Sequence, residues 1–111
     1  MVDLSQYSSN RSLGEQCHDA MVEMGKAKAA AFRFERMYKR KRAQVYLMSS
    51  GTVAERDALA RTHKDVTEVE AQWIEAETSH NMKRAEADGL RLRFEEWRTL
   101  QSTKRAEMQM I

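Results

Sequence analysis

The sequence predicts an all-α fold: a long antiparallel two-helix hairpin of coiled-coil character that pairs with another copy into a dimeric helical bundle. Three observations carry this expectation. The 111-residue chain has no proline and four glycines, with 32% charged and 7% aromatic residues, the composition of long helices and coiled coils. Apolar residues recur at spacings of three and four over two extended stretches, the period of a helix that buries one stripe. Between them stands Ser49-Ser50-Gly51-Thr52-Val53-Ala54-Glu55, the one strong interior break. Gly51 suits the left-handed backbone that ends a helix, and Thr52-x-x-Glu55 reads as a capping box that opens the next. Long helices joined by so short a connection fold back on each other.

Residues 1–12 lack periodicity and are expected to be a flexible N-terminal segment, with Ser8-Ser9-Asn10 as turn or frayed chain. Ser12-x-x-Glu15 is a second possible capping box, which places the first helix at 13–49. Its seam reads Leu13, Cys17, Ala20, Met24, Ala27, Ala31, Phe34, Tyr38, Lys41, Val45, Met48, and only Lys41 interrupts the apolar or small residues. After a turn at 50–52, the second helix is placed at 53–110. Its seam reads Leu59, Thr62, Val66, Val69, Trp73, Ala76, His80, Lys83, Ala87, Leu90, Phe94, Trp97, with Met108 and Ile111 in phase. Gly89 and Ser79-His80-Asn81 are weak places where it could bend.

Folding about Gly51 pairs positions whose numbers total about 101. Trp73 then faces the small residues Ala27–Ala31, Phe34 meets Val66 and Val69, and Cys17 and Ala20 lie near His80 and Lys83. The first helix runs out opposite Ala87, and the turns beyond carry Leu90, Leu92, Phe94, Trp97 and Leu100. A lone hairpin leaves that stripe in water, and an exposed apolar stripe marks a partner surface. Leu4 and Tyr7 could cover part of it; a second copy of the chain covers it better. A homodimer or higher oligomer is the expectation, with these five residues as its interface.

Charge is distributed unevenly. Residues 33–42 hold six cations and one anion, a local balance of +5 in a chain whose net charge is +2. Arg33, Arg36, Lys39, Arg40 and Arg42 take most of the arc away from the seam. Residues 55–68 offer four anions against three cations and do not neutralise them, while residues 69–88 are acidic, with five anions against two cations. Such a basic collar holds phosphates by releasing counterions, without reading bases. The alternative is a solvated face that forms salt bridges to the acidic middle of another subunit. Phe34 and Tyr38 belong to the seam, which argues against a single-strand groove with exposed stacking platforms.

Other chemistry is excluded by spacing. His18, His63 and His80 are not three or four residues from one another or from Cys17, so neither a metal nor a cofactor is expected. There is no glycine-rich phosphate loop or nucleophile elbow, and a thin seam offers no deep pocket, so the chain is not expected to be an enzyme. No apolar run is long enough to cross a membrane, and no membrane partner is expected. The single Cys17 fits a reducing cytosol. The eight methionines mainly fill seam gaps, although their plasticity also suits a partner surface.

The run Tyr38-Lys39-Arg40-Lys41-Arg42-Ala43, the turn Gly51-Thr52-Val53-Ala54-Glu55-Arg56 and the stretch Leu90-Arg91-Leu92-Arg93-Phe94-Glu95-Glu96-Trp97-Arg98-Thr99 resemble small helical proteins of tailed phages and prophages. Such proteins are often encoded beside recombination and replication genes. The resemblance spans roughly residues 25–108 and supplies no functional residues. It implies a non-catalytic accessory to phage DNA metabolism in the host cytoplasm. The secreted helical hairpins of the WXG type are set aside, because Ser50-Gly51-Thr52 contains no tryptophan. The expected function is a non-enzymatic oligomer that contacts DNA or a nucleoprotein through the basic collar. The alternatives are a protein-only inhibitor or adaptor of a host protein, such as an anti-defence factor, and a structural bundle component.

Overall fold

The computed structural model describes residues 9–110. Three helices occupy them, α1 (Ser9–Met48), α2 (Val53–Thr62) and α3 (Lys64–Gln109), with no strand among the described residues. The expectations for Leu4, Tyr7, Ser8 and Ile111 lie outside the described residues. The chain divides into two compact units, one of Gly25–Asn81 and one that joins residues up to Met24 with those from Met82 onward.

α1 begins earlier than its expected start near residue 13. Ser12 is inside the helix, where its Oγ accepts a hydrogen bond from Gln16 Nε2 at 3.2 Å instead of capping an N-terminus. At the other end, the Ser49 hydroxyl donates to the Val45 carbonyl at 2.6 Å and the Ser49 amide donates to Tyr46 at 3.3 Å. These bonds close the last turn. Gly51 follows with φ of +115°, which side-chain-bearing residues rarely adopt. Thr52 then caps α2, its Oγ1 accepting from the Glu55 amide at 3.2 Å.

The expected single helix over 53–110 is broken at His63. Its backbone is extended (φ −60°, ψ 136°), and its amide donates to Leu59 O at 2.9 Å, which ends α2. The ring Nδ1 accepts from the Asp65 amide at 3.1 Å and the His63 carbonyl accepts from the Thr67 amide at 2.9 Å, which starts α3. One residue thus caps two helices, using a ring nitrogen where Ser, Asp or Asn would ordinarily present oxygen.

This break changes the pairing within Gly25–Asn81. Beside α2, Arg42 meets Asp57 and Tyr46 meets Arg56, close to the expected total of 101. Farther on, Tyr38 stacks on Trp73, with ring centroids 5.3 Å apart and planes 27° from parallel. Sixteen residues from Asp57 to Trp73 therefore correspond to four from Arg42 to Tyr38. Four helical residues advance only about 6 Å, whereas sixteen in a straight helix would advance about 24 Å. The chain therefore changes direction between Asp57 and Trp73, and the pairing total rises to 111 at Tyr38 and Trp73. Trp73 stacks on Tyr38, and His80 lines an open groove together with Ala29, Ala31 and Phe32.

The core of this unit is small. Val45, Ala60 and Val66 are buried together, with Tyr38 and Tyr46 packed on them, and Val66 has no exposed surface. Ala31 is buried as well. The expected seam of α1 is covered from Leu13 to Val45, but Met48 at its end is exposed. On α3 it is covered from Val66 to Trp97. In α2 the stripe shifts to Ala60, leaving Leu59 and Thr62 outside, because the His63 break resets the helical phase.

In the unit that joins residues up to Met24 with those from Met82 onward, Gly14 faces Phe94: a Cβ at Gly14 would stand 3.7 Å from Phe94 Cε2. Phe94 and Trp97 stack with centroids 6.1 Å apart. α1 therefore reaches Phe94, past the Ala87 position expected for its end. Leu90, Phe94 and Trp97 are half-buried within the chain, while Leu92 and Leu100 are 57% and 59% exposed. The stripe left in water is correspondingly narrower than expected.

Two outcomes follow for stability. Gly51→Ala forces a side chain into positive φ beside the Glu55 carboxylate and should lower the unfolding free energy by about 1–3 kcal/mol in urea titration. His63→Ala removes the acceptor for the Asp65 amide and should cost about 1 kcal/mol, with His63→Asp recovering most of the loss.

Candidate nucleic-acid interface

The basic segment sits on α1 where the inward residues Phe34, Tyr38 and Lys41 are half-buried and Arg33, Arg36, Lys39 and Arg40 are exposed. A helix forces this division, because residues three and four apart share a face, and of the six cations only Lys41 falls in the seam. Tyr38 lies in the seam as expected, but its partner there is Trp73, which the pairing about Gly51 does not predict.

The five cations have different surroundings. Lys39 Nζ is 3.1 Å from Glu35 Oε1, one turn back on the same helix. Arg42 is half-buried; its Nη2 donates to Asp57 Oδ1 at 3.0 Å and its Nη1 to the Tyr38 hydroxyl at 3.4 Å. Hydrogen bonding to Asp57, then to Tyr38, pushes the Arg42 pKa up from its ordinary value, so the group stays charged throughout the accessible pH range. Arg36 lies over the Phe32 ring at 5.7 Å. Among the described residues, Arg33, Arg36 and Arg40 have no salt bridge. Of the collar, three charges are thus uncompensated and two are engaged.

Two further arginines join this region from α2. Arg56 Nε donates to the Tyr46 carbonyl at 3.1 Å while its guanidinium carbon lies 4.5 Å from the Tyr46 ring centroid. Arg61 Nε is 3.9 Å from Asp57 Oδ2. Sequence reasoning counted Arg56 and Arg61 only as charge on the facing helix. The Asp57–Arg61 spacing of one helical turn was readable, and Arg56 meets Tyr46 close to the pairing expected about Gly51, but its stacking on the Tyr46 ring is a tertiary detail.

Elsewhere the ion pairs are local, such as Lys83 with Glu86 at 3.8 Å and Arg91 with Asp88 at 3.8 Å. An open groove of roughly 530 Å³ is lined by Gly25, Lys28, Ala29, Ala31, Phe32, Glu35, Glu77 and His80. Cys17 is a half-buried free thiol. Among the described residues, no three His, Cys, Asp or Glu side chains gather into a metal-binding group, and no helix is long and apolar enough to cross a membrane.

No protein-family model matches the chain, and neither a curated protein nor a solved structure matches it.

The two kinds of contact should separate in mutants. Arg42→Ala removes a partly exposed ion pair and should cost no more than about 1 kcal/mol. Trp73→Ala removes a stacked aromatic from a thin core and should cost about 3 kcal/mol. Thermal unfolding of the two variants followed by circular dichroism checks the ordering.

Proposed function

We propose that this protein is a non-enzymatic helical accessory factor that contacts DNA or a nucleoprotein through the basic face of α1. The observation that carries the reading is the run of uncompensated cations, Arg33, Arg36 and Arg40, with Lys39 and Arg42 beside them. Phosphate neutralisation by such a face releases counterions and gives sequence-independent affinity that falls steeply with salt. The setting in phage recombination or replication, in the host cytoplasm, rests on the resemblance of the basic run, the turn and the Leu90–Thr99 stretch to small phage proteins. In this reading the chain is an antiparallel helical hairpin that self-associates, with Leu90, Leu92, Phe94, Trp97 and Leu100 at the contact.

A second reading is a protein-only inhibitor or adaptor, favoured by the exposed Leu92 and Leu100 side chains. It requires a protein partner whose binding is indifferent to salt. A structural bundle component would instead assemble into large, stable particles.

Changing Arg33, Arg36, Lys39, Arg40 and Arg42 together to Ala, with helicity checked by circular dichroism, should weaken binding to a short duplex at least tenfold at low salt. Unchanged binding would remove these residues from the assignment. Light scattering of the free protein tests the dimer, and a monomer would exclude it.

A further inference from the structure

We infer that Arg56 and Arg61 of α2, held in place by Tyr46 and Asp57, form a phosphate-binding edge that takes the backbone of nucleic acid. The inference rests on the DNA-contact reading above and adds residues to it. Two guanidinium groups approach one carboxylate, Arg42 at 3.0 Å and Arg61 at 3.9 Å from Asp57, while Arg56, next to Asp57 in the chain, is held on Tyr46. Three cations against one anion leave a local balance of +2. Arg42 and Tyr46 stand one turn apart on α1, so the cluster is continuous across the two helices.

The three arginines divide the work. Arg42 uses both terminal nitrogens, on Asp57 and on the Tyr38 hydroxyl, and thereby neutralises Asp57. Arg56 is held through Nε and through its face on Tyr46, and among the described residues no hydrogen bond engages its two terminal nitrogens. Arg61 approaches Asp57 through Nε only, and its side chain is 61% exposed. The Arg56 fork is thus already oriented, by an aromatic face and a carbonyl, and Arg61 adds an exposed guanidinium within 3.9 Å of Asp57. A planar fork matches phosphate oxygens in pairs, and holding it in advance lowers the entropy lost on binding. Arg33 and Arg40 contribute charge but have no such support.

The test measures binding of the full-length protein to a labelled short duplex by fluorescence anisotropy over a series of salt concentrations. Arg56→Ala with Arg61→Ala should weaken binding at least tenfold and reduce the slope of log affinity against log salt by about 1 for each arginine. Arg61→Ala alone, at an exposed position, should give half of that slope change with no change in helicity. Arg56→Lys keeps the charge but loses the fork and the stacking, and should weaken binding several-fold. Asp57→Asn removes the one anion and should tighten binding several-fold. If the double variant binds as wild type does while the α1 variants lose binding, this site is overturned and the DNA reading stands. If wild type shows no salt-dependent binding to the duplex, both fail. Co-sedimentation with phosphatidylserine vesicles in place of DNA binding would also overturn the site as a nucleic-acid edge and assign its arginines to lipid headgroups.

Discussion

At His63 the backbone leaves the helical region for one residue, its amide closing α2 on Leu59 and its ring closing α3 on the Asp65 amide. The rest of the unit of Gly25–Asn81 depends on this double cap. With the chain free to change direction there, Ala60 of α2 and Val66 of α3 are buried together with Val45 of α1. In a continuous helix Ala60 and Val66 would stand about 120° apart around the axis, on different faces, and Val45 could not meet both. The cap also sets where α3 begins its return, and so places Trp73 on Tyr38.

Energetically the unit has little to spare. A core of one alanine and two valines removes a small apolar area from water, so the aromatic stack and the half-buried stems around it carry a large share of the packing. The salt bridges sit at partly or fully exposed positions, where screening and side-chain entropy reduce each to a fraction of a kcal/mol to about 1 kcal/mol. Their effect is on where the arginines point. Asp57 holds Arg42 and draws Arg61, and Tyr46 holds Arg56. Charge that would otherwise sample many rotamers is presented in a few.

The basic face follows from the same division of labour. On α1 the helix period turns Phe34 and Tyr38 inward and leaves Arg33, Arg36 and Arg40 outward, so the cations need no tertiary partner to be displayed. On α2 the arrangement is tertiary. Arg56 of α2 reaches the Tyr46 carbonyl of α1. In the unit that contains Gly14 and Phe94, their close approach half-covers a stripe that sequence arithmetic left in water, and it is Leu92 and Leu100 that remain outward.

By itself the sequence determined that the chain is helical, that Gly51 and Thr52 break and restart it, and which residues of α1 and α3 face inward. These are local matters: helix propensity, a positive φ that glycine permits, a hydroxyl three residues from an orphan amide, and a period of 3.6 residues. The tertiary structure alone decided that His63 divides the second stretch, that Ala60 and not Leu59 is buried, and that Trp73 meets Tyr38. Histidine is a poor signal for a helix end, because its ring becomes a cap only when one extended residue is stabilised by packing on both sides. The register of Trp73 on Tyr38 followed from that single residue, whereas Arg42 meets Asp57, and Tyr46 meets Arg56, close to the pairing expected about Gly51. Contacts between residues far apart in the chain depend on accumulated direction, and one unhelical residue changes that direction without leaving a mark in the apolar pattern.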